Sequence, residues 1–263
     1  MKQPDARPFA VLEYMLRHQR LLLSLVLLLT VSLSWLWIAA MARDMYGSMQ
    51  GLSAWMMTPA WDATHLLLLW AMWAVMMVAM MLPSASPMLL LYLQAARVRK
   101  EDSPAALRVC VLAGGYLSVW AVFSVGATWL QRILATQGIL SPMMEPASAT
   151  TSALLLLIAG VYQMTPSKRV CLQSCRSPLS FLMGRWRSGW IGAYRMGIEH
   201  GAYCLGCCWA LMLLLFAGGV MNLAVIAALT AWVLVEKLLP AGEHSARVSG
   251  VLLIGTGVWM LAG

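Results

Sequence analysis

The segment EHGAYCLGCCWALM, residues 199–212, contains one imidazole and three thiols in an apolar stretch. On a helix, residues four apart share one face. That spacing places nitrogen and sulfur ligands in one stripe: His200, Cys204, Cys208 and Met212, with Cys207 alongside. Cu(I) prefers this ligand set, and Zn(II) could use the nitrogen and the thiolates. The stripe therefore predicts a site for copper, with zinc as the alternative, at which Glu199 could orient His200 or bind the metal itself.

A second pair of thiols, Cys171 and Cys175, follows the fourth apolar segment. A C-x3-C pair can face one way on a helical turn and bind one ion. Both cysteine groups lie where apolar segments meet the same side of the membrane, so they could converge on one metal site. The alternative is that the cysteines pack as small apolar side chains beside Gly201 and Gly206.

The chain contains 21 methionines, and several recur every four positions in the second apolar segment. His65 opens that segment, and Met72, Met76 and Met80 follow on one helical face. A ladder of thioethers suits the passage of a soft metal from the outer face toward the cysteines. Methionine also replaces leucine freely in apolar helices, so an ordinary packing role is the alternative.

Three polar residues stand near the inner ends of apolar segments. Ionisable groups at membrane depth are functional candidates, so Glu236 and Gln163 could support the metal ligands. The dipeptide Glu236-Lys237 could also be an interfacial pair, with the lysine extended toward the headgroups.

The elements that position these residues are apolar helices. The 263-residue chain is 61% hydrophobic and 11% charged, far below the charge of a typical soluble domain. Since a span needs roughly 20 apolar residues, the sequence predicts an all-α polytopic transmembrane bundle of about seven spans in one domain, residues 1–263. The predicted spans are 20–41, 65–93, 109–130, 148–165, 201–217, 221–239 and 247–262.

The basic residues orient this bundle. If the N-terminus lies inside, only Arg43 and Arg132 fall in outer loops. Positive charge concentrates on the cytoplasmic side of membrane proteins, so we predict a protein of the inner (cytoplasmic) membrane with N-in and C-out topology. Residues 1–19 would then be cytoplasmic. The net charge of +8 is explained by topology and the lipid bilayer, without nucleic acid.

The second span is predicted to break at Pro83 and Pro87. An unbroken helix through its apolar run would be longer than the hydrocarbon core. Each proline also removes one helical hydrogen bond. A tilted continuous helix is the alternative.

Four ordered stretches resemble one known family: AMMLPSASP; YQMTPSKRVCLQSCRSP; GIEHGAYCLGCCWALM with GGVMNL; and VLVEKLLP. They are similar to the "domain of unknown function 2182" family of predicted metal-binding integral membrane proteins, over residues 60–262. The resemblance implies a membrane location and a metal site, with no established reaction. The matching positions are Pro83, Pro87, Gln163, Lys168, Cys171, Cys175, Cys204, Cys207, Cys208, Trp209, Met212, Met221, Asn222, Glu236 and Lys237.

Three functional hypotheses follow from the sequence. The first is a membrane protein that handles, transfers or transports copper, together with a protein that donates or accepts the metal. The second is a thiol–disulfide relay, in which Cys204 and Cys207 at a helix start would have lowered pKa values. The third is a non-catalytic membrane assembly factor. No P-loop or dinucleotide fingerprint is present, and only His200 with its cysteines pairs a nucleophile with a base at a suitable spacing. A non-enzymatic role is therefore favoured, although the sequence does not decide it.

Overall fold

A computed structural model describes residues 18–47, 51, 61–99, 104–141, 143–239 and 242–262 of the chain. The predicted all-α class is confirmed over these residues. Most of the predicted N-terminal cytoplasmic segment, 1–19, lies outside them. The helices, numbered in chain order, are α1 (Gln19–Met45), α2 (Ala63–Val98), α3 (Ala105–Thr136), α4 (Ala149–Gln163), α5 (Pro166–Arg176), α6 (Pro178–Arg185), α7 (Gly189–Gly218), α8 (Leu223–Leu238) and α9 (Gly242–Ala262).

Five of these helices, α1, α2, α3, α7 and α9, are long and apolar enough to cross a membrane. The α4 helix is apolar but has only 15 residues, and α8 has 16. Both correspond to predicted spans but are shorter than the roughly 20 residues that cross the hydrocarbon core. The structure therefore shows a helical protein suited to a membrane and does not confirm the predicted number of about seven spans.

Apolar side chains cover the outside of the bundle as well as its core. On α1, Leu28, Leu33 and Leu36 are 62%, 64% and 66% exposed. Exposed apolar surface of this extent is suited to contact with lipid chains. The opposite side of α1 packs against α2.

The α2 helix continues through both of its prolines, so the predicted break at Pro83 and Pro87 is wrong. Pro87 cannot donate to the Pro83 carbonyl, but the Ser86 hydroxyl donates to that oxygen at 2.7 Å. The Ser84 hydroxyl likewise donates to the Met81 carbonyl at 2.8 Å. Hydroxyl groups of the PSASP segment thus supply donors to the carbonyls around the prolines, which is how a membrane helix tolerates proline.

The α7 helix begins at Gly189, twelve residues before the predicted start at residue 201. Its first turns contain the charged residues Arg195 and Glu199. Because these charges interrupt the apolar run, hydropathy alone does not predict this part of the helix. The connection between α4 and α7 contains two short helices, α5 and α6. Pro166 and Pro178 each occupy the first helical position, where proline is favoured.

Glycines allow close contact between helices at two interfaces. A Cβ at Gly115 on α3 would run into the Tyr194 carbonyl of α7, and one at Gly197 on α7 would run into the Leu112 carbonyl of α3. Gly160 on α4 and Gly250 on α9 form a similar contact, in which an added Cβ at Gly250 would lie 3.0 Å from the Gly160 oxygen. Small residues at such positions let membrane helices approach by their backbones.

Candidate metal site

The stripe of cysteines lies in the middle of α7 and faces the core. Cys204, Cys207 and Cys208 are all buried. The Sγ atoms of Cys207 and Cys208 donate to the Cys204 carbonyl at 3.1 and 2.9 Å. Because α7 begins at Gly189, the expectation that Cys204 and Cys207 stand at a helix start is wrong. The argument that a helix dipole activates them for a thiol–disulfide relay therefore does not apply.

The α5 helix packs against α7 and adds a fourth thiol to the three on α7. Cys175 Sγ lies 3.9 Å from Cys207 Sγ, and Cys175 also contacts the Cys204 thiol. Hydrogen bonding with Cys204, and then with Cys207, raises the pKa of Cys175 well above its usual value, because its proton is held between sulfur atoms. The predicted convergence of the two cysteine groups is therefore seen in the structure. We call Cys175, Cys204, Cys207 and Cys208 the thiol cluster.

The remaining thiol of the pair on α5, Cys171, lies beside the thiol cluster and against a glycine of α7. A Cβ added at Gly206 would lie 2.7 Å from Cys171 Sγ. Burial, followed by electrostatic interaction with the Cys207 sulfur, raises the pKa of Cys171. The glycine inside CLGCC thus leaves room for a thiol from another helix.

Three residues that the sequence did not assign to the metal site also touch the thiol cluster. Met81 Sδ on α2 lies 3.9 Å from Cys208 Sγ. The Tyr116 hydroxyl on α3 lies 3.0 Å from Cys204 Sγ and donates to the Met81 carbonyl at 3.1 Å. Lys237 Nζ on α8 donates to Cys204 Sγ at 2.8 Å and to Ser84 Oγ at 3.3 Å. Lys237 belongs to the VLVEKLLP stretch, which is one of those that resemble the known family. No sequence pattern around Tyr116 indicates a functional role for it.

The thiols contact one another in pairs and do not surround a single point. Over the described ranges of the chain, no group of three or more His, Cys, Asp or Glu side chains is arranged to hold a metal ion. The Cys175–Cys207 distance of 3.9 Å nevertheless suits two ligands of one ion. In three- and four-coordinate sites, sulfurs bound at about 2.3 Å with an angle of about 110–120° at the metal lie about 3.8–4.0 Å apart.

His200 and Glu199 do not form the pair that the sequence suggested. His200 is buried between the rings of Tyr116 and Phe181, with centroid distances of 5.8 and 5.4 Å. Its Nδ1 finds no hydrogen-bond partner in the part of the chain that the structure describes. Glu199 instead accepts from Arg185 at 3.3 Å and Arg187 at 2.7 Å. Glu199 therefore does not orient His200 through Nδ1.

The methionine ladder faces the same core as the thiol cluster. Met72, Met76 and Met80 are each at most 1% exposed, and Met212 is fully buried. All four belong to the continuous buried cluster that contains Cys204, Cys207 and Cys208. His65 lies in the first turn of α2, and its ring packs edge-on against Trp61 at 4.8 Å between centroids. The predicted path residues thus line one side of the core, with Met81 at the cysteine end.

Glu236 and Gln163 lie in a separate buried cluster. Lys168 Nζ donates to Glu236 at 2.6 Å and also to the Gln163 side-chain oxygen. Gln163 Nε2 donates to Glu236 and to Ser249, both at 2.8 Å. The alternative of an interfacial pair between Glu236 and Lys237 is wrong, because both side chains are buried and have different partners. Among the hydrogen bonds of the described residues, none joins Glu236 or Gln163 to a thiol.

Comparison with known proteins identifies the class of protein as one that handles copper. The model of the PpoB2 family, described as a copper chaperone, matches residues 70–260. Because this match covers most of the sequence, the chain belongs to the PpoB2 copper chaperone family. The resemblance found in the sequence is confirmed in part. The matching family is metal-related, as expected, but it has a different name. No curated protein and no solved structure matches the chain.

Proposed function

We propose that this member of the copper chaperone family holds Cu(I) between α5 and α7, within the thiol cluster. The observation that carries this proposal is the approach of Cys175 to Cys207, with 3.9 Å between the two Sγ atoms. The two thiols come from helices far apart in the sequence, and their spacing suits two ligands of one ion. Cys204 and Cys208 lie within reach for exchange, and Cys171 and His200 lie at the edge.

The arrangement favours Cu(I) over Zn(II). A structural Zn(II) site uses four ligands in a tetrahedron, and the described side chains offer no such group. Cu(I) accepts a small number of soft ligands, including thioethers. Met81 supplies a thioether next to Cys208, so two thiolates with a neighbouring methionine form a suitable environment.

We further propose that Cu(I) reaches the thiol cluster along α2 from the outer face of the inner membrane. The proposed path contains His65, Met72, Met76 and Met80, and it ends at Met81. Ligand exchange would move the ion from thioethers to thiolates, which hold Cu(I) more tightly. A soluble or membrane-bound acceptor protein would then take the ion near the cytoplasmic face.

Removal of the α7 thiols tests the proposed function. The full-length protein in detergent is expected to bind one Cu(I), supplied from a chromophoric Cu(I) chelator. Changing Cys204, Cys207 and Cys208 together to serine should abolish this binding, because serine is a poor ligand for a soft ion. Cys110→Ser is the matched control, since Cys110 is an exposed cysteine on α3. Unchanged Cu(I) stoichiometry in the triple variant would overturn the proposal.

The short distance between the Sγ atoms of Cys175 and Cys207 also supports a second candidate function, a thiol–disulfide relay. All six cysteines are free in this structure. Rapid alkylation of cells with a thiol-specific mass tag distinguishes the two functions. A fully reduced chain supports copper holding, whereas a Cys175–Cys207 disulfide that turns over in cells would favour the relay.

A further inference from the structure

The Lys237 ammonium on α8 is buried beside the thiol cluster. Its side chain is only 5% exposed, and it donates to Cys204 Sγ at 2.8 Å. The carboxylate next to it in sequence, Glu236, is paired with Lys168. Among the ion pairs of the described residues, none supplies a carboxylate to Lys237. A buried charge without a counter-charge is strongly unfavourable, so the balancing charge has to come from sulfur.

The groups around Lys237 are consistent with that role. Cys204 is its closest sulfur, and Cys207, Cys208 and Tyr116 also lie within electrostatic range. Ser84 Oγ, at 3.3 Å, is a neutral second acceptor. One thiolate in the thiol cluster is therefore enough to neutralise the ammonium before any metal binds.

We propose that Lys237 is the built-in counter-ion of the copper–thiolate unit and makes the site selective for a monovalent ion. This inference rests on the proposed function. Without metal, one thiolate and one ammonium have a net charge of zero. When Cu(I) binds Cys175 and Cys207, both thiols lose their protons; one proton passes to the Cys204 thiolate and the other leaves to the solvent. One Cu(I), two thiolates and one ammonium again sum to zero, so the exchange of one cation for one proton leaves the buried charge unchanged.

A divalent ion disturbs this balance. With two thiolates and the Lys237 ammonium, Zn(II) leaves one uncompensated positive charge in a low-dielectric core. A third thiolate would restore neutrality, but the described side chains do not bring three such ligands around one point. The position of Lys237 therefore disfavours Zn(II) and stabilises the anionic two-thiolate complex of Cu(I).

Replacement of the ammonium by a neutral side chain that contains no sulfur tests this role. In Lys237→Leu, we expect the affinity for Cu(I) to fall by about ten- to hundredfold, the range of a lost charged hydrogen bond. We expect the affinity for Zn(II) to stay the same or to rise. The measurement is competition of each metal against a chromophoric chelator on the full-length protein. A ratio of the two affinities within about threefold of wild type would overturn the inference.

Two controls separate this effect from general damage to the fold. Lys237→Arg keeps the charge and should keep most of the preference for Cu(I). The double variant Lys168→Leu with Glu236→Gln removes a buried ion pair that is not hydrogen-bonded to the thiols, and it should leave the metal preference unchanged. A shift in that double variant as large as that in Lys237→Leu would also contradict the inference.

A measurement on the wild-type protein tests the same charge balance without any substitution. X-ray absorption at the copper edge counts the sulfur ligands and distinguishes short thiolate bonds from long thioether bonds. Two thiolates, with or without a thioether, are expected. Three thiolates around Cu(I) would give a net negative charge even with the Lys237 ammonium included. That result would overturn the inference. Absence of any Cu(I) binding to the wild type would instead reject the proposed function itself.

Discussion

Met81 lies where the two kinds of sulfur in this protein meet. It follows the methionine ladder on α2, and its Sδ lies 3.9 Å from Cys208 Sγ. It is fully buried, so it contacts only protein atoms. In the proposed path it is the last thioether before the thiols.

Replacing this one thioether should weaken copper binding with little effect on the fold. For Met81→Leu we expect a several-fold loss of Cu(I) affinity, because leucine fills the space but has no sulfur. The free energy of unfolding should change by less than about 1.5 kcal/mol, as for other swaps of similar volume. Chelator competition and thermal unfolding measure the two effects.

Met88→Leu is the matched control for Met81→Leu. Met88 is equally buried on the same helix but belongs to a different apolar cluster from the cysteines. The same substitution there should leave Cu(I) affinity unchanged. Equal losses of Cu(I) affinity in the two variants would show that Met81 has no specific role in copper binding.

The sequence predicts the thiols of the site but not the groups that surround them. Helical spacing places Cys204 and Cys208 on one face, and this inference needs only local geometry. Tyr116 is 88 residues from Cys204 in the chain, and Lys237 is 33 residues away. Their contacts depend on how α3 and α8 pack against α7, and one sequence contains no local pattern that specifies this packing.

At the scale of helices, hydropathy predicts where apolar segments lie but not where helices end. The early turns of α7 contain three glycines and the charged residues Arg195 and Glu199, so their helical state depends on packing against α3 rather than on an uninterrupted apolar run. In α2 the error is the opposite one, because the sequence predicts a helix end that the structure does not have. Proline predicts a break, yet Ser86 supplies the donor that Pro87 lacks.

The contact between α3 and α7 should be sensitive to one added methyl group. Gly115→Ala would place a Cβ against the Tyr194 carbonyl, so we expect the free energy of unfolding to fall by about 1–3 kcal/mol, as in other overpacked cores. Gly114→Ala is the neighbouring control. A Cβ there has open space and should stabilise the helix by up to about 1 kcal/mol. Thermal unfolding in detergent should therefore separate the two variants, and equal stabilities would contradict the close contact.

At the scale of the whole molecule, the apolar surface and the five long helices are those of a membrane protein. The sequence predicted the all-α class because apolar composition is a global property. The number of spans was harder to predict, because α4 and α8 are apolar but short. Their buried polar residues, including Gln163 and Glu236, are tied to α5 and α9 by hydrogen bonds rather than by apolar packing alone.

The proposed N-in and C-out topology is tested with reporters. Alkaline phosphatase, which is active only outside the cytoplasm, should be active when fused after residue 263 and inactive when fused before residue 1. A fluorescent protein that folds only in the cytoplasm should give the reverse result. This outcome is expected because the loops predicted to lie inside contain nearly all the basic residues. Equal activity at both termini would mean an even number of crossings.

The contact of Lys237 with Cys204 also has a consequence for biosynthesis. The ribosome makes α5 and α7 before α8, so every cysteine exists before the ammonium that accompanies it. In the interval between those steps, the chain has its thiols but lacks the counter-charge that we assign to the copper-bound state. A chain that stalls or is truncated before α8 would therefore be a poor acceptor of copper. Copper loading would in this way report that the chain has been made and inserted as far as α8.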